Sequence, residues 1–404
     1  MPVGLREPEN LEAVDGVRLS ALHAGIKADP RRDDLVLIEA AEGSALAAVF
    51  TRNRFCAAPV TVAREHLART VDGRRFLLIN SGNANAGTGQ PGLSAARASC
   101  AALASLSGDE AASVLPFSTG VIGEPLPLER IAGALPALYE SLSADAWPVA
   151  ARGLMTTDTL PKGASRQVEI DGRRVTLTGI CKGSGMIRPD MATMLAFVAT
   201  DAAVDPARLQ HLLQQAVDAS FNAITVDGDT STNDACVLIA TGRSGVGIDG
   251  TEADFVEALN ELFLQLAQSI VRDGEGATKF VEVRVEGAAS AEDARAIAYT
   301  VAHSPLVKTA VFASDPNWGR ILAAVGRAPI ERLDIDRVDL YLGDVRLIHK
   351  GEPDPDYREE RGQAVMDRED ILIRILLRAG DASARIWTSD LSYDYVKINA
   401  EYRS

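Results

Sequence analysis

Two short apolar runs open the pattern, Leu35-Val36-Leu37-Ile38-Glu39-Ala40 and Ala47-Ala48-Val49-Phe50-Thr51. The small polar turn Glu42-Gly43-Ser44 separates them, so they predict two strands. Arg75-Phe76-Leu77-Leu78-Ile79-Asn80 predicts another buried strand, and the Ala-rich stretch from Leu93 to Leu106 a helix that stops near Gly108. Val168-Glu169-Ile170 and Val175-Thr176-Leu177 flank Asp171-Gly172, which supplies the positive φ angles of a tight hairpin. Leu195 to Thr200 predicts a strand. Asp205-Pro206 opens a helix, with Asp as cap and Pro in the first turn. Its apolar stripe is Leu209, Leu212, Leu213, Ala216 and Val217. Phe255, Leu259, Leu262, Phe263, Leu266 and Ile270 mark a second amphipathic helix. Phe280 to Val285 predicts a strand and Ser290 onward a third long helix. Gly351 to Asp370 is polar, with two prolines, and reads as a surface loop with a short helix. Ile371 to Leu377 and Ala384 to Thr388 are late strands.

Strands interleaved with helices, hairpins included, predict a layered α/β architecture with mixed sheets. No repeat and no long low-complexity linker interrupts it. No apolar run approaches the roughly 20 residues of a membrane helix. The start, Met-Pro-Val-Gly-Leu-Arg-Glu-Pro-Glu-Asn, has no apolar core for a signal peptide, so a cytoplasmic location is expected.

Composition narrows the function classes. The 404 residues suffice for two or three domains, and 47% hydrophobic with 24% charged is ordinary globular usage. A net charge of −15 leaves no counterion footprint for nucleic acid. Cys56, Cys100, Cys181 and Cys236 form no CxxC pair, so reduced thiols and no zinc site are expected. Gly87-Thr88-Gly89-Gln90-Pro91-Gly92 fits GxGxxG, but its first glycine comes seven residues after Asn80, too far from the strand for a dinucleotide turn. The run Asp227 to Asp234 imitates a calcium loop. It carries Thr232 where the sixth position needs glycine and Leu238 where the twelfth needs glutamate. None of the five histidines falls in a ligand pair, and no GxSxG motif is present.

The run from Lys182 to Leu195 is different. It places a small residue, Ala192, directly before a hydroxyl residue, Thr193. Cleavage of the Ala192–Thr193 bond would give Thr193 a free α-amine beside its own hydroxyl, able to serve as its base. Such an amine titrates at about 7.7–8.0, suited to proton exchange near neutral pH. Gly183 and Gly185 favour close approach of backbone to a ligand, and Lys182 adds a cation suited to a carboxylate. Read alone, Thr193 is more simply a strand threonine.

Ordered blocks elsewhere give this run a setting. They are Gly25-Ile26-Lys27, Val49 to Asn53, Asn80 to Ala86, Ser118-Thr119-Gly120-Val121-Ile122-Gly123 and Thr156-Thr157-Asp158-Thr159. Asp227 to Asp234, Asp273 to Lys279 and Asp315-Pro316-Asn317-Trp318-Gly319-Arg320 follow. In these the chain resembles, over essentially its whole length, the ornithine acetyltransferases (glutamate N-acetyltransferases) of arginine biosynthesis. The resemblance implies an acyltransferase of αββα type with an N-terminal nucleophile. Residues 1–275 would form the nucleophile-bearing domain and 276–404 a smaller C-terminal α/β domain. It implies autocatalytic cleavage between Ala192 and Thr193 into segments 1–192 and 193–404. These stay associated, two of each in a heterotetramer.

Thr193 would carry the acetyl group from N2-acetylornithine to glutamate in a ping-pong reaction. Thr119 and Gly120, by themselves a plain turn, would stabilise the oxyanion. Thr156, Lys182, Thr193, Glu275, Asn399 and Ser404 would bind substrate, Lys182 at a carboxylate and Glu275 at an amine. By themselves these charges read as surface ion pairs, and a chain end is expected to fray. Asp190 stands where many relatives carry asparagine. The resemblance implies no cofactor and no metal, and leaves open whether acetyl-CoA also donates. An amidohydrolase or aminopeptidase, passing the same acyl group to water, is the rival reading; an unprocessed, non-enzymatic scaffold is the third.

Overall fold

The computed structural model describes residues 2–69, 71, 73–188, 194–249 and 252–401. The chain forms two compact units, residues 6–222 with 229–270, and residues 1–5 with 223–228 and 271–404.

The unit of residues 6–222 and 229–270 holds two mixed sheets. The four-stranded one runs β1 (Val17–Leu22), β2 (Leu35–Ala40), β4 (Arg75–Asn83), β5 (Val114–Val121), antiparallel except for the parallel β4–β5 pair. The five-stranded one runs β3 (Ala45–Phe50), β11 (Ala235–Ala240), β8 (Leu195–Thr200), β7 (Arg173–Lys182), β6 (Lys162–Ile170), with β11–β8 its parallel pair. A short parallel pair, β9 (Ala203–Val204) and β12 (Gly247–Ile248), accompanies them.

The continuous apolar run of β2 has a simple cause. Successive side chains point to opposite faces, so a strand covered on both sides loses its polar alternation. Val36 and Ile38 join Leu77, Ile79 and Phe117 in a core shared with Ile180, Leu195, Phe197 and Val237 of the five-stranded sheet. Phe117 meets Phe197 edge-on at 5.2 Å. Leu35 and Leu37 turn the other way, toward Cys100 and Leu103 of α2 (Gly89–Ser107) and Ile131 and Leu135 of α3 (Leu128–Glu140). Helices α1 (Ala58–Leu67), α4 (Trp147–Leu154), α5 (Pro206–Ala219) and α6 (Ala253–Arg272) complete the layer elements, α6 continuing past the unit's last residue.

Local chemistry explains several boundaries. Asp171 and Gly172 take φ of 51° and 72° between β6 and β7, as the Asp-Gly hairpin requires. The Asp205 carboxylate accepts from the Ala207 N–H at 2.9 Å and caps α5.

The second unit holds a seven-stranded mixed sheet. Its order is β10 (Ile224–Thr225), β18 (Ala382–Ser389), β13 (Phe280–Ala288), β17 (Asp370–Leu376), β14 (Asp339–Leu342), β15 (Val345–His349), β16 (Glu352–Pro353). Its helices are α7 (Ala291–Ala302), α8 (Pro305–Phe312), α9 (Trp318–Gly326), α10 (Glu359–Met366) and α11 (Tyr393–Ala400). The long helix expected from Ser290 ends at Ala302, because Ser304-Pro305 starts a new, capped helix. No helix among the described residues is long and apolar enough to cross a membrane.

Candidate active site

Thr119 and Gly120 lie near the end of β5, in a strand and not in the turn that the isolated dipeptide suggested. Gly82 of β4 faces Gly120 across the parallel pair, and the register shifts at Asn83. Gly120 has φ of 135°, and a Cβ there would lie 2.3 Å from the Gly82 carbonyl carbon. Only glycine lets the two backbones approach so closely.

Buried amides and hydroxyls hold this end of the sheet. Asn80 Nδ2 donates to the Asn83 carbonyl at 2.8 Å, and Ser118 Oγ donates to Asn80 Oδ1 at 2.5 Å. Asn233 Nδ2 donates to the carbonyls of Ala84 (2.6 Å) and Ser118 (2.9 Å). Asn233 precedes β11 by two residues, and Ala235 is in register with Leu195 of β8. The ends of β4 and β5 are thereby tied to the start of β8, two residues after Thr193. Thr193 itself, with Ala192 and Asp190, lies outside the described residues.

Lys182 ends β7 opposite Leu195. Its side chain is 10% exposed, and its Nζ lies 3.9 Å from Asp158 Oδ2, beyond hydrogen-bond distance. No hydrogen bond to a described residue engages that ammonium. The same holds for the hydroxyls of Thr119 and Thr156. Asp158 is fully buried and is the organising group of this corner. Its Oδ1 accepts from Lys162 Nζ and from the Gly183 N–H, each at 2.7 Å. Its Oδ2 accepts from the Thr156 N–H at 2.9 Å. Burial pushes the Asp158 carboxyl up, but the Lys162 and Lys182 charges, with the bonds from Lys162 and Gly183, prevail and hold it well below the usual range. Lys27 stands within electrostatic reach. Its Nζ donates to the Asp33 carbonyl at 2.6 Å. Burial first, then the Arg32 charge, lowers its pKa to about 8, against the pull of Asp34 and Asp158.

In the second unit the structure brings Glu275 and Asn399 together. Asn399 Nδ2 on α11 donates to Glu275 Oε2 at 2.8 Å, and Glu275 is 7% exposed. The loop carrying Glu275 is seated by the start of α11. Ser392 Oγ donates to the Gly276 carbonyl at 2.6 Å, while Asp390 accepts from the N–H groups of Thr278 and Lys279. Helix α11 therefore carries Asn399 to Glu275. Ser404 lies outside the described residues.

The structure thus groups Thr156 with Lys182 through Asp158, and Glu275 with Asn399. Sequence reasoning missed Lys162 and the support roles of Asp158 and Asn233. The signal available was the placement of Asp158 and Asn233 inside the quoted blocks; nothing marked Lys162.

The whole chain is similar to known proteins. The sequence model of the ArgJ family matches residues 18–404. The arginine biosynthesis bifunctional protein ArgJ of Methylococcus capsulatus is 60% identical over 97% of this chain and 96% of its own length. The protein of the same name from Pseudomonas syringae pv. tomato is 56% identical over the full length of both. A crystal structure of arginine biosynthesis bifunctional protein argJ from Bacillus halodurans is 40% identical, covers 51% of this chain and 98% of that chain, and has a TM-score of 0.49. With a match that starts at residue 18 and runs to the last residue, the chain belongs to the ArgJ family.

Proposed function

We propose that this chain cleaves itself between Ala192 and Thr193 and then moves an acetyl group from N2-acetylornithine to glutamate in arginine biosynthesis. The single observation that carries this reading is family membership along almost the whole chain, with relatives named bifunctional at 56–60% identity. By the same likeness, acetyl-CoA serves as a second donor for glutamate. The Thr193 α-amine takes the hydroxyl proton as the oxygen attacks the acetyl carbonyl. The tetrahedral oxyanion is met by the Thr119 hydroxyl and the Gly120 N–H. Collapse breaks the amide, passes the proton to the departing amine and leaves acetyl-Thr193. The glutamate amine attacks that ester by the reverse sequence, releasing N-acetylglutamate and the free hydroxyl.

The acetyl group rides on the enzyme, so this cycle calls for no cofactor or metal. The Lys182 ammonium, buried and without a hydrogen bond to a described residue, supports its role as the substrate carboxylate anchor. Glu275 and Asn399 take the substrate amine, and Thr156 and Ser404 add contacts. The shared core of the two sheets, with α2 and α3 on the outer face of the smaller, supports an αββα layering. The cleaved segments stay together as a cytoplasmic heterotetramer.

The test is acetyl release from acetylornithine with and without glutamate, and from acetyl-CoA with glutamate. N-acetylglutamate should form from both donors. Acetate release at the same rate without glutamate would instead identify a hydrolase.

A further inference from the structure

Asp158 poses a problem of charge that the proposed carboxylate anchor does not by itself solve. A buried carboxylate attracts any cation within reach, and attraction is strong where water is excluded. Lys182 stands only 3.9 Å away and could be drawn into a direct bond, its charge then spent on the protein. It is not, because three donors already occupy the carboxylate: Lys162 Nζ, the Gly183 N–H and the Thr156 N–H, at 2.7, 2.7 and 2.9 Å. Of the three, only Lys162 brings a full charge. It is wholly buried, as is Asp158, so this pair is neutral as a unit and insulated from solvent.

We infer that Lys162 is a positioning residue for the carboxylate anchor: by neutralising Asp158 it keeps the Lys182 ammonium uncommitted for a substrate carboxylate, while Asp158 fixes Thr156 and Gly183 on either side. The inference rests on the reading of Lys182 as that anchor. Its consequence is that removing Lys162 harms binding of carboxylate substrates by letting Lys182 close on Asp158. Removing both buried charges frees Lys182 again. A buried pair also behaves asymmetrically, since loss of one member leaves an uncompensated charge and loss of both does not.

The experiment is steady-state kinetics of the full, processed enzyme with acetylornithine and with its α-carboxamide analogue as donors. Lys162→Met should raise KM for the carboxylate donor about tenfold or more, leave kcat within about threefold, and shift KM for the carboxamide less than about twofold. Adding Asp158→Asn should recover at least half of the lost affinity on a logarithmic scale. Equal effects of Lys162→Met on the two donors, or no effect on the carboxylate donor, would overturn the inference. Lys182→Met separates the two levels. If it raises KM for the carboxylate donor while Lys162→Met does not, this inference alone falls. If it changes nothing, the anchor reading falls and this inference with it. Should Lys162→Met fail to fold, the paired variant decides. A carboxylate KM as high as that of Lys182→Met would count against the inference, and one near the parent value supports it.

Discussion

Replacing Gly120 by alanine tests how closely the fold and the proposed oxyanion site share one constraint. The new Cβ would sit 2.3 Å from the Gly82 carbonyl carbon and 2.5 Å from the Asn83 nitrogen, both backbone atoms. Carbon contacts need about 3.5 Å, so the strands must part by about 1.2 Å. Neighbouring strands sit about 4.8 Å apart, and such a displacement breaks the local ladder. Two lost bonds cost about 0.5–1.5 kcal/mol each. A side chain at positive φ adds about 1–2 kcal/mol. The expected loss is about 2–5 kcal/mol. It is best read by urea unfolding in a Thr193→Ala background, where the chain stays in one piece, at one fixed protein concentration. In the processed enzyme the displaced Gly120 N–H should lower kcat by about 10²–10³-fold. Gly133→Ala is the control. It lies exposed inside α3 with nothing within 4 Å of the new Cβ, and should stabilise by up to about 1 kcal/mol. A Gly120→Ala protein with stability within about 0.5 kcal/mol of its parent and undiminished kcat would refute the reasoning.

On a denaturing gel the parent should run as two bands, and Thr193→Ala as one near 42.9 kDa. Asn399→Leu removes the 2.8 Å bond to Glu275 and should raise KM for the amine-bearing donor about tenfold; an unchanged KM would detach Asn399 from the amine site. Burial, opposed by the Asp390 and Asp227 charges, lowers Lys308 to about 8, and Lys27 falls to the same value. The unfolded chain then binds more protons than the folded one from about pH 8 up to the ordinary lysine value of 10.5, so these groups make stability rise with pH across that window. Lys308→Met should flatten the rise in denaturant unfolding followed from pH 7 to 10. Asp158 acts at the other end. Its depressed carboxyl contributes stability that is complete above the ordinary value of 3.8 and lost as pH falls below it, a loss that Lys162→Met/Asp158→Asn should abolish in acid unfolding.

Much of the fold was legible because local chemistry and tertiary demand agree. The hairpin at Asp171-Gly172, the cap at Asp205 and the two-sided burial of Leu35 to Ala40 all follow from the residues themselves. Sheet membership was not legible. The consecutive strands β2 and β3 enter different sheets, and β4 pairs in parallel with β5 across a helix. Such pairings are fixed by which apolar faces meet, and a run buried on both faces carries no record of which neighbour it takes. The same limit hid the Lys162–Asp158 pair. Charged side chains are almost always near solvent, so a lysine four residues after an aspartate in a polar stretch gives no hint of complete burial.

Net charge is a poor guide to the site for a related reason. At −15 the chain would be expected to repel anions, yet the buried Lys162 and Lys182 flank one buried carboxylate, Asp158. Solvent and salt screen the distant surface charges beyond about 8–10 Å. The buried cations are screened far less and set the local field. The groups of both signs assigned to substrate under the proposed function lie in separate clusters: Lys162 and Lys182 with Asp158 at the end of β7, and Glu275 with Asn399 on α11. Each cluster is held by its own backbone bonds, so either can be altered alone. A variant of Lys182 should therefore weaken every substrate that bears a carboxylate, while a variant of Glu275 should distinguish among amines. Competition between substrates differing at one end at a time measures that division directly. If both variants lost the same substrates in the same proportion, the assignment of opposite charges to opposite ends would be wrong.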